Sequence, residues 1–127
     1  MPWLWVALGG ALGSVARHGL IEWFTRRFGT EFPAGTLAVN VVGSFAAGVL
    51  AGWLLSDTRP ESLPRLLLIT GFCGGFTTFS AFSLQTLGLL QQGQTARAAA
   101  NVGLSLLLCL VAVWAGHAAA VACRRAA

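Results

Sequence analysis

Long runs of hydrophobic residues without a charged side chain divide the chain into four segments. Residues 32–56, 66–96 and 98–123 contain no Asp, Glu, Lys or Arg, and each run exceeds the ~20 residues that a helix needs to cross a bilayer core of ~30 Å. A fourth apolar segment, about residues 3–24, carries Arg17, His18 and Glu22 towards its end. The pattern predicts an all-α integral membrane protein, a single four-span domain over residues 1–127, with spans at approximately 3–24, 33–55, 65–90 and 97–122.

Composition supports a membrane protein and excludes two other classes. Only 9% of the residues are charged, against ~25% in soluble domains, so little remains for a soluble domain. The eight basic residues are all Arg and are spread over the predicted helix ends, which is typical of membrane-protein loops and not of a nucleic-acid surface. The first segment has no basic stretch before it and no cleavage pattern after it, so we expect a retained helix.

The distribution of arginines around the predicted spans is nearly balanced. With four spans, four arginines fall on one side of the membrane and three on the other: Arg59, Arg65, Arg124 and Arg125 against Arg26, Arg27 and Arg97. Because orientation follows the excess of basic residues on one side, this balance predicts insertion in both orientations and an antiparallel homodimer. The alternative is that folding context fixes one orientation despite the balanced charge.

Small residues at helical spacing provide sites where helices approach closely. G-x-x-x-G occurs at Gly9/Gly13, Gly48/Gly52 and Gly71/Gly75, a spacing that lets transmembrane helices pack with their backbones in contact. In a chain with 16 Gly some of these motifs arise by chance. Taken together they favour oligomerisation, and an antiparallel pair would reproduce the inverted repeat that larger transporters carry within one chain.

The third segment contains residues that disfavour a continuous helix near its middle. Gly74 and Gly75 are followed by Thr77 and Thr78, and the uncharged run is longer than a straight helix needs to cross the bilayer. We therefore predict a broken third helix, interrupted between residues 74 and 80, whose freed carbonyl oxygens suit a hard cation such as Na⁺. The alternative is an unbroken Gly-rich packing face in which the Thr hydroxyls bond to their own helix.

Aromatic and polar side chains recur at helical spacing in three of the predicted spans. Phe79 and Phe82 have Ser80 and Ser83 beside them, and polar stripes run along the second and fourth spans: Thr36, Asn40 and Ser44, then Asn101, Ser105 and Cys109. Positive ring edges and N–H or O–H donors both suit a small anion, so the two stripes together with Ser80, Ser83 and Gln85 could line a hydrated path. Such stripes also join helices by hydrogen bonds, and such rings also serve as core or lipid-facing aromatics.

Other reactive groups give little support for catalysis. Arg17 is the only cation within the first span, so it indicates either a functional site or a side chain that extends to the interface. His18 and His117 have no Cys, His or acidic neighbour at ligand spacing, and the three cysteines are typical of buried small hydrophobes. Since the sequence contains no nucleophile–base pair, we expect that the chain is not an enzyme.

The segment T70-G-F-C-G-G-F-T-T-F-S-A-F-S83 resembles the signature of the Fluc/CrcB fluoride channel family, as do G35-T-L-A-V-N40 and G13-S-V-A-R17. The resemblance covers essentially the whole chain. It implies an antiparallel homodimer with two fluoride pores and a central structural Na⁺ held by the backbone carbonyls of Gly74 and Thr77. It also implies fluoride contacts at Phe79 and Phe82, a pore-lining Asn at Asn40, a vestibule Arg at Arg17, and a polar track at Asn101, Ser105 and Cys109.

This sequence departs from the family at two points of that track and at one neighbouring position. Some relatives carry Tyr at the position of Asn101, Ser at that of Cys109, and Glu at that of Gln85, whose role is left open.

The implied function is passive, fluoride-selective export of cytoplasmic F⁻ across the cell (inner) membrane, which relieves fluoride toxicity. Two alternatives remain: a small proton-coupled multidrug exporter, which requires a mid-membrane acid that this sequence lacks, and a non-transporting membrane assembly subunit.

Overall fold

The computed structural model describes residues 1–57 and 59–127, and these contain helices but no β-strand. The third helix, α3, consists of a π-helical segment (Arg65–Cys73) that continues into one α-helical turn (Gly74–Phe76). The other helices are α1 (Pro2–Phe28), α2 (Ala34–Trp53), α4 (Phe79–Gln91) and α5 (Thr95–Ala126). Within the described part of the chain, four helical stretches are long and apolar enough to cross a membrane, since α3 and α4 together form one of them. The prediction of a four-span membrane protein is confirmed.

Proline and glycine mark the helix boundaries, as their backbone preferences require. Pro33 and Pro64 precede α2 and α3, positions where a missing N–H leaves no hydrogen bond unmade. Gly29 and Gly93 end α1 and follow α4 with φ of 81° and 72°, the left-handed region that glycine adopts without a steric penalty. Each donates its N–H back to the preceding helix.

Helices α1 and α3 pack with their backbones in direct contact. A Cβ added at Gly13 would collide with the Phe72 carbonyl oxygen, and one added at Gly75 would lie 2.5 Å from the Gly10 carbonyl oxygen. Gly9 and Gly71 are equally enclosed, each facing the other helix. We call this contact the α1–α3 seam. Only glycine permits this separation, because any side chain would force the helices apart.

Helices α2 and α5 form a second seam of the same kind. A Cβ at Gly48 would collide with the Val113 carbonyl oxygen, and one at Gly116 with the Phe45 carbonyl oxygen. All three G-x-x-x-G motifs therefore join helices within one chain. The interpretation of these motifs as contacts between copies is wrong, because each motif already faces a helix of its own chain.

Apart from Arg17, the charged residues lie towards the helix ends and in the loops. Arg26 pairs with Glu22, Arg59 with Asp57, and Arg97 with Glu31. Two further arginines close the C-terminal end of α2: Arg124 Nη1 donates to the Gly52 carbonyl oxygen at 3.1 Å, and Arg65 Nη2 to that of Leu54 at 3.1 Å. Cations placed there satisfy carbonyl oxygens that have no donor within the helix.

Candidate functional site

Two residues between α3 and α4 leave the helical conformation. Thr77 has φ −85° and ψ 160°, and Thr78 has φ −152° and ψ 116°, both extended. The Thr77 N–H still donates to the Cys73 carbonyl oxygen at 3.0 Å. The Thr78 N–H turns away from the Gly74 carbonyl oxygen, its acceptor in a continuous helix, and donates to Asn40 Oδ1 at 2.7 Å.

The side chain of Asn40 pairs with this extended segment as a neighbouring strand would. Besides accepting from the Thr78 N–H, Asn40 donates its Nδ2 to the Thr78 carbonyl oxygen at 3.0 Å. The backbone N–H fixes which end of the amide faces it, so the orientation of Asn40 follows from chemistry alone. An amide nitrogen carries two hydrogens, and one of them remains available to a ligand.

Thr78 also begins α4. Its Oγ1 accepts from the Ala81 N–H at 3.2 Å, which caps the helix, and lies 3.3 Å from Ser80 Oγ. Ser83 Oγ donates to the Phe79 carbonyl oxygen at 2.9 Å. Ser80 and Ser83 are both exposed. Their hydroxyls thus bond locally, to the cap and to the preceding turn.

A hollow of about 280 Å³ lies beside the extended segment, between α2, α4 and α5. We call it the pore groove. The described residues that line it are Asn40, Ser44, Thr77, Thr78, Phe79, Phe82, Ser105, Leu106, Cys109 and Leu110. It joins residues from three parts of the sequence that the polar and aromatic spacing had singled out, and neither Ser80 nor Ser83 is among them.

The two phenylalanines of the groove differ in their surroundings. Their ring centroids are 5.2 Å apart and the ring planes are inclined by 43°. Phe82 is 9% exposed, whereas Phe79 is 75% exposed and projects from the chain. The edge of an aromatic ring carries partial positive charge, so a ring edge at the groove would attract an anion.

The polar stripe of α5 is divided between two roles. Ser105 and Cys109 line the pore groove, and the Ser105 hydroxyl has no hydrogen-bond partner among the described residues. Asn101 is 1% exposed and donates its Nδ2 to Thr86 Oγ1 at 3.0 Å. Asn101 therefore ties α5 to α4 one turn away from the groove, and the structure gives it no place in the groove lining.

Arg17 reaches inward to the interruption. Its Nη1 donates to the Thr77 carbonyl oxygen at 3.2 Å, and the residue is only partly exposed. One turn earlier, Ser14 Oγ donates to the Gly75 carbonyl oxygen at 3.5 Å. Helix α1 thus supplies donors to carbonyl oxygens near the break, and Arg17 places a positive charge beside it.

The carbonyl oxygens at the break fit a hard cation only in part. Among the described residues, the Gly74 carbonyl oxygen receives no backbone N–H, because Thr78 donates elsewhere. The Thr77 oxygen has one lone pair free beyond its bond from Arg17. Both residues line a hollow of about 330 Å³ on the outer face of the chain. Two oxygens from one chain do not complete an oxygen-rich coordination shell, so a cation bound here would require a second set of oxygen ligands.

The part of the sequence that contains these residues is similar to a known protein family. The family described as "CrcB-like protein, Camphor Resistance (CrcB)" matches residues 4–117. The chain belongs to the CrcB family. That membership covers α1 to α4 and most of α5, including every residue of the pore groove.

Relatives that match most of this chain carry the name fluoride-specific ion channel FluC. The relative from Opitutus terrae is 54% identical over 125 residues, which cover 94% of this chain and 92% of the relative. Those from Methylocella silvestris and Rhodospirillum rubrum are 46% and 48% identical, and in each case the match covers at least 95% of both chains. A CrcB protein of this kind is a multi-pass membrane protein and not an enzyme, as the sequence predicted.

Sequence reasoning missed a second polar hollow, near the loop that precedes α2. It has a volume of about 450 Å³, and Thr36 and Gln85 are among its lining residues. The i, i+4 spacing of Thr36 and Asn40 was a usable signal, because it places both residues on one face of α2. The residues that α4 contributes to this hollow could not be predicted from sequence spacing, since they depend on how α4 packs after the interruption.

Proposed function

We propose that this chain is the subunit of a fluoride-selective channel that lets cytoplasmic F⁻ leave the cell passively across its (inner) membrane. Relatives at 46–54% identity that carry the name fluoride-specific ion channel support the choice of ion. The pore groove supports the mechanism, because its lining combines amide and hydroxyl donors with aromatic rings and contains no acidic residue.

The observation that carries the proposal is the pairing of Asn40 with Thr78. The pairing holds the chain extended at the groove, and it leaves one Asn40 N–H and the Ser105 hydroxyl without protein partners among the described residues. Donors that are fixed before the ion arrives need little reorganisation when they replace its water shell. The ring edges of Phe79 and Phe82 add weaker attraction for an anion.

Two copies in antiparallel orientation would complete the groove. Phe79 projects from the chain at 75% exposure, and the groove and the hollow at Gly74 both open at the surface of one copy. A second copy that covers these faces gives two equivalent pores by symmetry. The balanced arginine count supports an antiparallel arrangement over a parallel one.

The carbonyl oxygens of Gly74 and Thr77, supplied by both copies, would hold the central Na⁺. Bound there, Na⁺ supplies a fixed positive charge that balances carbonyl oxygens without helix donors. Arg17 donates to the Thr77 oxygen from one side and leaves its second lone pair free. The positive charge of Arg17, beside the interruption, would also attract anions towards the groove.

The direction of transport follows from the membrane potential. An inside-negative potential drives an anion outward, by about 2.3 kcal/mol per 100 mV for one elementary charge. HF enters cells uncharged and ionises in the cytoplasm, where the fluoride is trapped. A passive path for the anion is then sufficient for export, and the lack of a proton-carrying acid in the groove is compatible with this.

The deciding experiment measures anion efflux from liposomes that contain the purified protein and are loaded with KF or KCl. We expect fast fluoride efflux that requires valinomycin, because an uncompensated anion current stops when a potential develops, and little chloride loss. Efflux without valinomycin would indicate proton-coupled exchange. No efflux from a monodisperse protein would favour the assembly-subunit alternative.

The orientation has its own test, which uses cells that express the chain with a C-terminal tag. We expect a membrane-impermeant reagent to detect the tag on both faces of the membrane, because the arginine bias is close to zero. Detection on one face only would contradict dual topology. A version with two added arginines at the tail serves as the control, since it should shift the tag to the cytoplasmic face.

A multidrug exporter is a weaker candidate for a structural reason. Proton-coupled drug export requires an acid within the membrane. Among the described residues the acids lie at helix ends or in loops: Glu22 pairs with Arg26, and Glu31 with Arg97. None of the four acids lines the pore groove.

A further inference from the structure

A hollow at the C-terminal end of α5 lies apart from the pore groove. It has a volume of about 280 Å³, and the described residues that line it are Leu55, Val121, Arg124 and Arg125. We call it the arginine hollow. It shares no residue with the pore groove or with the hollow at Gly74, so a second copy can cover both of those and leave the arginine hollow open. The proposed function makes no use of it.

The two arginines of the hollow differ in how they are held. Arg124 Nη1 donates to the Gly52 carbonyl oxygen at 3.1 Å, which ties this side chain to the end of α2. Arg125 forms no ion pair and no hydrogen bond through its side chain within the described part of the chain. Because a guanidinium carries five N–H donors, most donors of the pair remain available to a ligand.

The end of the molecule that contains the hollow has an excess of positive charge. Four arginines and two acids lie there, a net charge of +2: Arg59, Arg65, Arg124 and Arg125 against Asp57 and Glu61. Asp57 already pairs with Arg59. Neither acid lines the hollow, so its own two arginines face no carboxylate within it. The charge of the hollow therefore suits an anion.

The other walls of the hollow are apolar and lie at the boundary of the membrane. Val121 precedes Arg125 by four residues, and Ala118 by seven, so the three share one face of α5. Leu55, at the end of α2, is 48% exposed. Helix α5 has 32 residues and is about 48 Å long, against a hydrocarbon core of ~30 Å, so its charged last turn lies beyond the core.

We infer that the arginine hollow binds an anionic phospholipid, with the phosphate against Arg124 and Arg125 and an acyl chain along Val121 and Ala118. Phosphate oxygens match the planar fork of a guanidinium, and basic pockets between transmembrane helices bind anionic lipid headgroups. A soluble anion would contact the arginines alone and leave the apolar walls uncovered. The inference does not depend on which ion the channel conducts.

A bound lipid would stabilise the contact between α2 and α5. Arg124 contacts both the hollow and the Gly52 carbonyl oxygen. A phosphate that holds its guanidinium in place therefore also holds the end of α2 against α5. Since a ligand that binds only the folded protein raises its stability, the lipid should raise the melting temperature.

The test measures the melting temperature of the purified protein in an uncharged detergent with added phosphatidylglycerol or phosphatidylcholine. We expect phosphatidylglycerol to raise it by about 5 °C and phosphatidylcholine by less than about 2 °C, because the choline cation offsets the phosphate charge. Arg125→Gln should lose most of the phosphatidylglycerol shift. Arg59→Gln is the matched control and should keep the shift, because it removes the same charge from the same end of the molecule but does not line the hollow.

Three outcomes would overturn the inference. An equal loss in the two variants would mean that the lipid responds to general surface charge. Equal shifts from the two lipids would show that the charge of the headgroup does not matter. An equal shift from inorganic phosphate would show that the acyl contacts do not matter.

Native mass spectrometry of the wild type provides a measurement that needs no variant. When the two lipids are offered in equal amounts, phosphatidylglycerol should stay bound where phosphatidylcholine is lost, and equal retention would contradict the site. None of these measurements requires fluoride conduction. The lipid site and the proposed function can therefore fail separately: absent efflux overturns only the function, and an absent lipid preference overturns only the site.

Discussion

The two halves of the third span are held by different means. Helix α3 lies against α1 in a seam where the glycine Cα and carbonyl atoms touch, and no side chain separates the backbones. Helix α4 is attached through side chains: buried Phe82 and Leu89, and the hydrogen bond from Asn101 to Thr86. The interruption at Thr77 and Thr78 separates these two kinds of contact.

Along this one span, the α3 half supports the structure and the α4 half carries the functional groups. A backbone seam leaves no rotamers to rearrange and fixes the position of the interruption, because any displacement meets backbone atoms. A side-chain contact leaves room for a hollow and for donors that face it. The pore groove lies on the α4 side, and the glycines of the α1–α3 seam do not line it.

The largest effect should come from adding one methyl group to the α1–α3 seam. A Cβ at Gly13 would collide with the Phe72 carbonyl oxygen, so Gly13→Ala should destabilise the protein by about 3 kcal/mol or more and reduce efflux to background. Thermal unfolding in detergent measures the first effect and liposome efflux the second. Gly19→Ala is the control on the same helix, since nothing lies within 4 Å of its added Cβ. Equal melting temperatures for the two variants would contradict the seam.

The next effect concerns the amide that holds the extended segment. Asn40→Asp keeps an oxygen to accept from the Thr78 N–H, but it removes both the free donor and the bond to the Thr78 carbonyl oxygen, and it adds a negative charge. We expect efflux to fall at least 100-fold at neutral pH while the protein stays folded, because a carboxylate repels an anion at short range. Efflux measurements together with gel filtration test this. Efflux within threefold of wild type would show that Asn40 does not face the ion.

Replacing each phenylalanine with isoleucine should lower efflux in both cases but reduce stability in only one. Phe82→Ile changes a buried ring and should cost about 1–2 kcal/mol of stability, whereas Phe79→Ile changes an exposed ring and should cost little. Both should lower efflux by about tenfold, because each removes a ring edge from the groove. Melting temperatures and initial efflux rates, measured in parallel, separate the two effects. Undiminished efflux in Phe79→Ile would exclude a role for that ring in conduction.

The smallest effect is expected at Thr77. Its Oγ1 donates to the Cys73 carbonyl oxygen at 3.0 Å, and the proposed contact with Na⁺ uses the backbone. Thr77→Ser preserves both, so efflux and its dependence on Na⁺ should stay within about threefold of wild type. Loss of Na⁺ dependence in this variant would mean that the side chain, and not the carbonyl group, matters.

The number of membrane-spanning helices could be predicted from the sequence, because charge-free runs of this length form few stable structures other than a helix that crosses the bilayer. The prediction of a break between residues 74 and 80 rested on adjacent Gly and Thr, which weaken a helix locally, and Thr77 and Thr78 within that interval are extended. The hydrogen bond between Thr78 and Asn40 could not be predicted from the sequence, because the two residues lie 38 positions apart. The assignment of the glycine motifs failed for the same reason: spacing identifies a surface for close packing, but only the tertiary fold selects which helix occupies it.

The open side of the pore groove has a consequence for biogenesis. A copy that has just left the insertion machinery exposes Phe79, beside a groove whose lining includes the polar side chains of Asn40 and Ser105. Unpaired polar groups in hydrocarbon cost several kcal/mol, so a solitary copy is a high-energy species that draws water into the bilayer around it. Its lifetime is then governed by how soon the groove is covered. The polar side chains that are proposed to guide an ion in the mature protein would therefore also favour the association of a newly inserted copy with a second one.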